Sequence, residues 1–383
     1  MAFRTGSSPI LQMATKQYSL SSFNLNGMFK VKTNFSDQTI YVGLDVHKRS
    51  WNAALFLNDQ YLRNIHQPPS PQALYTFLKN SYPGAEYICA YEGGKFGFWI
   101  QRQLNSKGIK CLVVNPADIP STHKDEVSKS DPRDARGIAM ALQCGQLKGI
   151  YVPTLQQEAD RSLVRQRKKI WRDLVRCKNR IKGFLDYTGI EVPAKFENSN
   201  WSHNFLQWLK DLPFEYSSSR TALNYMINET DVLRKELLSV SNDIRKLMRS
   251  AYYKKLYYLL RTITGIGPLT TASLLTEIGD MKRFQSFYDL NSFIGFLPTE
   301  HSSGERELKG RLTVRRHRQL RSDLIECAWT AKRTDPALSL FYTEQLKRGK
   351  EPKLIIVKIA RKLLSRIRYV WQSEKPYEKG VVK

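Results

Sequence analysis

From Thr39 onward the chain alternates short apolar runs with polar turns. Ile40–Val46, Trp51–Leu57 and Tyr61–His66 are rich in β-branched and aromatic residues and predict a three-strand meander. Pro71–Ser81 carries Leu74, Phe77 and Leu78 at helical spacing. A strand over Glu86–Tyr91, a helix over Phe96–Lys107 and a strand over Lys110–Val114 follow, closed by Asn115-Pro116. This alternation predicts an α/β domain with a mostly parallel sheet over residues 37–153. Beyond it the apolar period lengthens. Leu163, Ile170, Leu174, Ile181 and Leu185, and then Leu223, Ile227, Leu237 and Ile244, predict two long helices in a hairpin or coiled coil over 154–252. Residues 253–345 read as helical with one loop-rich interruption at Pro298–Arg311. Within the tail, 346–383, Pro352–Trp371 reads as a basic amphipathic helix. Residues 1–36 are polar and aperiodic, without a signal-peptide core, and are expected to be a disordered leader.

Composition sharpens this outline. Of 383 residues, 61 are Lys or Arg and 35 are Asp or Glu, a net charge of +26. Such an excess on a folded chain points to a polyanion, nucleic acid before an acidic membrane surface. No apolar run is long enough to span a bilayer, so no membrane partner is expected. Five scattered cysteines form no CxxC pair, zinc spacing or disulfide framework, which fits a reducing, cytoplasmic setting.

The basic charge is concentrated. Arg161–Lys182 holds ten basic residues, among them Arg165, Lys168, Lys169 and Arg172, against the single acid Asp173. Lys309–Arg321 holds six and no acid: Lys309, Arg311, Arg315, Arg316, Arg318 and Arg321. Both stretches are candidate phosphate contacts, with a solvated face as the alternative for each. Tyr252, Tyr253, Tyr257 and Tyr258 are either base-stacking or core residues. Gly265-Ile266-Gly267 has the form of a helix-hairpin-helix turn, or of a plain tight connection.

Four acids stand at predicted element ends: Asp45 after the first strand, Glu92 after the strand ending at Tyr91, and Asp131 and Asp134 at a helix start containing Pro132. Strand ends and helix starts converge on one edge of a parallel α/β sheet. Four carboxylates gathered there repel one another unless a hard cation such as Mg²⁺, or Mn²⁺, neutralises them. Each acid alone is equally a turn or capping residue.

These segments carry a resemblance. Val-Gly-Leu-Asp45-Val-His-Lys, Tyr-Glu92-Gly-Gly-Lys-Phe-Gly-Phe-Trp, Asn115-Pro116 and Lys-Ser-Asp131-Pro-Arg-Asp134-Ala-Arg resemble the RuvC-like (RNase H-like) DEDD domain of the insertion-sequence-110 family transposases, also called bridge-RNA-guided recombinases. Residues 264–329, including Gly295-Phe-Leu-Pro-Thr-Glu-His-Ser302-Ser303-Gly304, resemble the C-terminal transposase domain of that family. The resemblance implies a RuvC-like α/β domain, a helical dimerisation segment and a mostly helical catalytic domain. It implies that Asp45, Glu92, Asp131 and Asp134 bind the metal and that Ser303, directly before Gly304, is the nucleophile, with Ser302 in reserve. Implied partners are donor and target double-stranded DNA, a structured guide RNA that supplies sequence recognition, and further copies of the chain, as homodimers assembling to a tetramer on the nucleoid. Where the family usually has a Lys-Arg-Gly-Asn-type turn, this chain has Val314-Arg315-Arg316-His317. A RuvC-like nuclease using activated water, and a non-catalytic nucleic-acid-binding relative, remain the alternatives.

Overall fold

The computed structural model describes residues 34–120, 131–196, 201–303 and 306–378, with backbone alone at 131, 300–303, 306–309 and 311. The chain divides into two compact units, Met1–Val152 and Pro153–Lys383.

Unit one is a five-stranded sheet in the order β3-β2-β1-β4-β5. Its strands are β1 (Thr39–Val46), β2 (Trp51–Leu57), β3 (Gln60–Gln67), β4 (Glu86–Glu92) and β5 (Lys110–Val114). β1 pairs antiparallel with β2, and β2 with β3, whereas β1–β4 and β4–β5 are parallel. The sheet is therefore evenly mixed rather than mostly parallel. The meander contributes as many ladders as the crossovers do, because its short turns permit only antiparallel return.

Alternation along β1 sorts its side chains between two layers. Ile40, Val42 and Leu44 join Leu74 and Leu78 of α1 (Pro71–Ser81) and Ile100 and Leu104 of α2 (Trp99–Ser106) in one buried cluster. Ser70 caps α1 by accepting the Ala73 N–H, and Pro71 occupies its first turn. The opposite face lies under α3 (Asp131–Gln143), whose Ala135 and Ala139 cluster with Ala54 and Phe56. Here Gly43 is required: a Cβ on it would stand 2.2 Å from the Ala135 carbonyl oxygen and 2.3 Å from the Ala139 nitrogen. Helix backbone thus rests directly on strand backbone. The expected leader ends earlier than residue 36. The Phe35 N–H bonds the Pro83 carbonyl at 3.0 Å and its ring meets Tyr82 edge-on; residues 1–33 lie outside the described residues.

Unit two begins with α4 (Leu155–Tyr187), started by a reciprocal capping box between Thr154 and Gln157. α4 runs antiparallel to α6 (Ser217–Met248): Arg167 donates to Ser241, and Cys177 approaches Thr230. At the distal end α5 (His203–Asp211) closes a separate apolar cluster with Ile181, Leu185, Leu223 and Ile227. At the other end Val164, Ile170, Ile244 and Met248 join the large core of the remaining helices. These are α7 (Lys254–Leu260), α8 (Pro268–Ile278), α9 (Phe287–Ile294), α10 (Arg318–Thr334), α11 (Pro336–Lys347) and α12 (Pro352–Ser373). The long helices and the C-terminal helices therefore share one core.

One expectation changes here, and two others gain their place. Pro298–Arg311 is not a loop but part of an antiparallel hairpin, β6 (Pro298–Ser303) and β7 (Arg306–Leu312), with Ser303 paired to Arg306. Its polar, Gly-containing sequence shows no alternating apolar pattern, so it reads as a loop, and only the backbone pairing reveals the strands. The basic tail helix α12 is a core element: Ile355, Ile359, Leu363, Ile367 and Val370 are buried along one stripe. Of the four tyrosines, Tyr253 and Tyr257 are core and Tyr252 and Tyr258 exposed. The Gly265 turn is also a packing requirement. At φ +90° its Cβ would stand 2.8 Å from the Cys327 carbonyl oxygen. Cys89, Cys111, Cys177 and Cys327 are buried, and Cys144 is exposed just after α3.

Candidate functional site

In unit one the strand register brings two of the acids side by side. The last registered β1–β4 pair is Leu44–Tyr91, and Asp45 and Glu92 each follow it by one residue on neighbouring parallel strands. Asp45 also stands opposite Asn52 on β2. Its side chain is 19% exposed, and its Oδ2 lies 3.1 Å from His47 Nε2. This gives His47, which had no role in the sequence, a direct place beside the acid. Glu92 is exposed at the end of β4, and the next residue, Gly93, bonds back to the Val114 carbonyl on β5. Asp134 lies exposed in the first turn of α3, one residue before Ala135 touches β1. The Asp131 carboxylate lies outside the described side chains. Among the described residues no three His, Cys, Asp or Glu side chains gather closely enough to hold a metal ion. As donors, carboxylate oxygens are suited to Mg²⁺ or Mn²⁺.

In unit two, several of the expected cationic residues surround one cavity of about 540 Å³. Arg165, Lys168, Lys169 and Arg172 line it from α4, and Arg316 and Arg318 from the turn into α10. Arg167, Thr270 and Ser273 complete much of the wall. Lys168 is balanced in part by Asp323, 3.8 Å away. Arg315 lies exposed on the same turn, outside the lining. Arg321 spends its guanidinium within the chain, donating to the Gly295 and Thr313 carbonyls at 2.9 Å each. The side chains of Ser302, Ser303, Lys309 and Arg311, and Gly304 itself, lie outside the described residues. By its backbone, Ser303 is the last residue of β6.

Glu277 is the residue that sequence reasoning missed. It is 3% exposed and sits at the floor of this cavity on α8. Arg165 forks onto it with Nε at 2.6 Å and Nη2 at 2.7 Å, Arg161 Nε lies 3.4 Å away and His317 Nε2 3.2 Å away. Burial alone would raise its carboxyl, but hydrogen bonds from His317 and Arg165 outweigh that and hold it at about 2. The one sequence signal was that Glu277 is the sole charge in Pro268–Ile278.

Residues 42–190 match the IS110 DEDD transposase family, and residues 257–343 the Transposase IS116/IS110/IS902 family. The y4qE protein of Sinorhizobium fredii, which carries the name of a transposase, is 30% identical over 64% of this chain and 58% of its own length. The transposase for insertion sequence element IS1533 of Leptospira borgpetersenii is 27% identical over 64% of this chain and 72% of its own. A pilin gene-inverting protein of Moraxella bovis is 35% identical over 32% of this chain and 39% of its own. The match thus spans little more than half of the first of these relatives. The two family models match in order along one sequence, at 42–190 and 257–343, and together they cover more than half of it; the chain belongs to the IS116/IS110/IS902 family of transposases.

Proposed function

We propose that this chain cleaves and rejoins DNA strands for the movement of an insertion sequence, guided by a structured RNA. The observation that carries the reading is the placement of Asp45 and Glu92 one residue past a registered pair on adjacent parallel strands. Asp45, Glu92, Asp131 and Asp134 would hold Mg²⁺, or Mn²⁺, which stabilises charge developing on the oxygens of a phosphodiester. Ser303 is the nucleophile. Its oxygen bonds to phosphorus as one ester bond of the DNA breaks, its proton passes to solvent, and the freed sugar oxygen leaves as a hydroxyl. Attack by a second DNA hydroxyl on the phosphoserine reseals the strand, so bond energy is conserved without ATP.

The cation-lined cavity supports backbone contacts to DNA or guide RNA: sequence is read by base pairing and the protein reads phosphates. We further assign dimers, paired into a tetramer, as the working assembly, acting in the cytoplasm. No helix among the described residues is long and apolar enough to cross a membrane.

The test is a denaturing gel of protein incubated with its native flanking DNA, guide RNA and Mg²⁺. A protein–DNA adduct that disappears in Ser303→Ala and in Asp131→Ala is the expected result. Loss of the nucleophile should slow cleavage by roughly 10⁴-fold or more. Cleavage without adduct would transfer the case to a nuclease using activated water. An intact nucleic-acid complex with no cleavage would identify a binding protein.

A further inference from the structure

The hairpin β6–β7 leaves the helical body on two legs, residues 293–297 and 313–317, and these are bound to each other along their length. The Thr313 N–H bonds the Leu297 carbonyl at 3.0 Å and the His317 N–H bonds the Phe293 carbonyl at 3.1 Å. Arg321 bridges the carbonyls of Gly295 and Thr313. Gly295, at φ +87°, is where the legs come closest: a Cβ there would stand 2.3 Å from Arg316 Cβ. The hairpin's exit is therefore set at its base.

That base is anchored through one imidazole. His317 Nδ1 accepts the Leu320 N–H at 3.2 Å, capping α10. An accepting Nδ1 leaves the ring proton on Nε2, and Nε2 faces Glu277 Oε2 at 3.2 Å. The ring also packs on Phe293, centroids 5.3 Å apart. Glu277 is in turn gripped by Arg165 of α4. A buried carboxylate is retained only when its donors are fixed, so this acid joins three separate segments at one point.

We infer that Glu277 is a positioning residue for strand cleavage: through His317 it fixes where the β6–β7 hairpin, and Ser303 with it, leaves the helical body. The inference rests on the reading of Ser303 as nucleophile. It also gives a place to the departing Val314–His317 segment, in which His317 ties the second leg to the acid.

The experiment uses the full chain and two side-chain exchanges that split the roles of the imidazole. His317→Asn keeps a short acceptor for the α10 cap but cannot reach Glu277. Glu277→Gln keeps an acceptor for Nε2–H but removes the charge facing Arg165. Hydrogen exchange over residues 298–312 and the rate of adduct formation at saturating flanking DNA are read together. The expected result for His317→Asn is a thermal midpoint close to wild type, with hairpin amides exchanging about tenfold faster. Adduct formation should slow while the DNA concentration for half-saturation stays unchanged. Glu277→Gln should lower the midpoint, because the cations around it lose their counter-charge, yet raise hairpin exchange beyond that of the other helices and slow adduct formation with DNA half-saturation unchanged. Hairpin exchange and adduct rate equal to wild type in both variants would overturn the inference. So would losses that merely track a fallen midpoint, with DNA affinity falling in step. Should wild type form no adduct, the serine reading fails, and the exchange measurement still decides whether the tether holds the hairpin.

Discussion

Asp45 in unit one and Glu277 in unit two are both carboxylates beside a histidine, yet they are built for opposite ends. Asp45 stands at a strand terminus with its side chain 19% exposed. Glu277 is 3% exposed and surrounded by cations the chain itself supplies. An acid meant to receive a cation from solution must stay reachable. An acid meant to hold the fold together is satisfied internally and closed off. In the function proposed above, the same functional group would serve as a receptor in one unit, while in the other it is an anchor.

The comparison breaks hardest at Gly43. Asp45 keeps its place because α3 backbone rests on β1, and a methyl at Gly43 would meet backbone atoms at 2.2 and 2.3 Å. Gly43→Ala should cost about 3 kcal/mol or more, read as accelerated amide exchange across β1 and β4, with the helices of unit two unaffected. Wild-type exchange in those strands would mean that α3 yields cheaply.

The anchor should reveal itself in acid. The Glu277 carboxyl lies at about 2, below its ordinary 4.5. A depressed carboxyl stabilises fully above its unfolded value, and that contribution is lost as pH falls from about 4.5 toward 2, at most about 3 kcal/mol. Glu277→Gln should flatten this part of the stability–pH curve, measured by denaturant titration. An unchanged slope would assign the acid lability elsewhere.

A smaller effect separates cations that face solution from those that serve the anchor. Lys169 and Arg172 line the cavity and are exposed, and Arg165 is committed to Glu277. Replacing Lys169 and Arg172 with Ala should lower the log–log salt slope of nucleic-acid binding by about 2, leaving stability near wild type. Arg165→Ala should instead lower stability first. Equal behaviour of all three would erase the distinction.

What was legible in the sequence follows from the same contrast. The strands, α1 and the acids at Asp45, Glu92 and Asp134 are signalled by neighbours within a few positions, where period and element ends speak directly. Glu277 has its partners 112 positions away at Arg165 and 40 away at His317, so no local pattern announces them. The hairpin at Pro298–Leu312 was hidden for another reason: its pairing is backbone pairing, and its composition is that of a loop. The tail helix was legible as a basic amphipathic helix because its apolar stripe recurs at helical spacing, and that stripe is the part the core takes up.

The cysteines have a practical corollary. Cys89 and Cys111 face each other in register on β4 and β5, where burial pushes both thiols up, Cys111 to about 12. Protonated and enclosed, they are poor nucleophiles, and Cys177 and Cys327 are buried as well. Cys144 alone among the five is exposed, directly after the end of α3, the helix whose first turn carries Asp131 and Asp134. The native chain therefore carries a single addressable handle, and a maleimide dye attached there reports from the far end of the acid-bearing helix without any engineered cysteine.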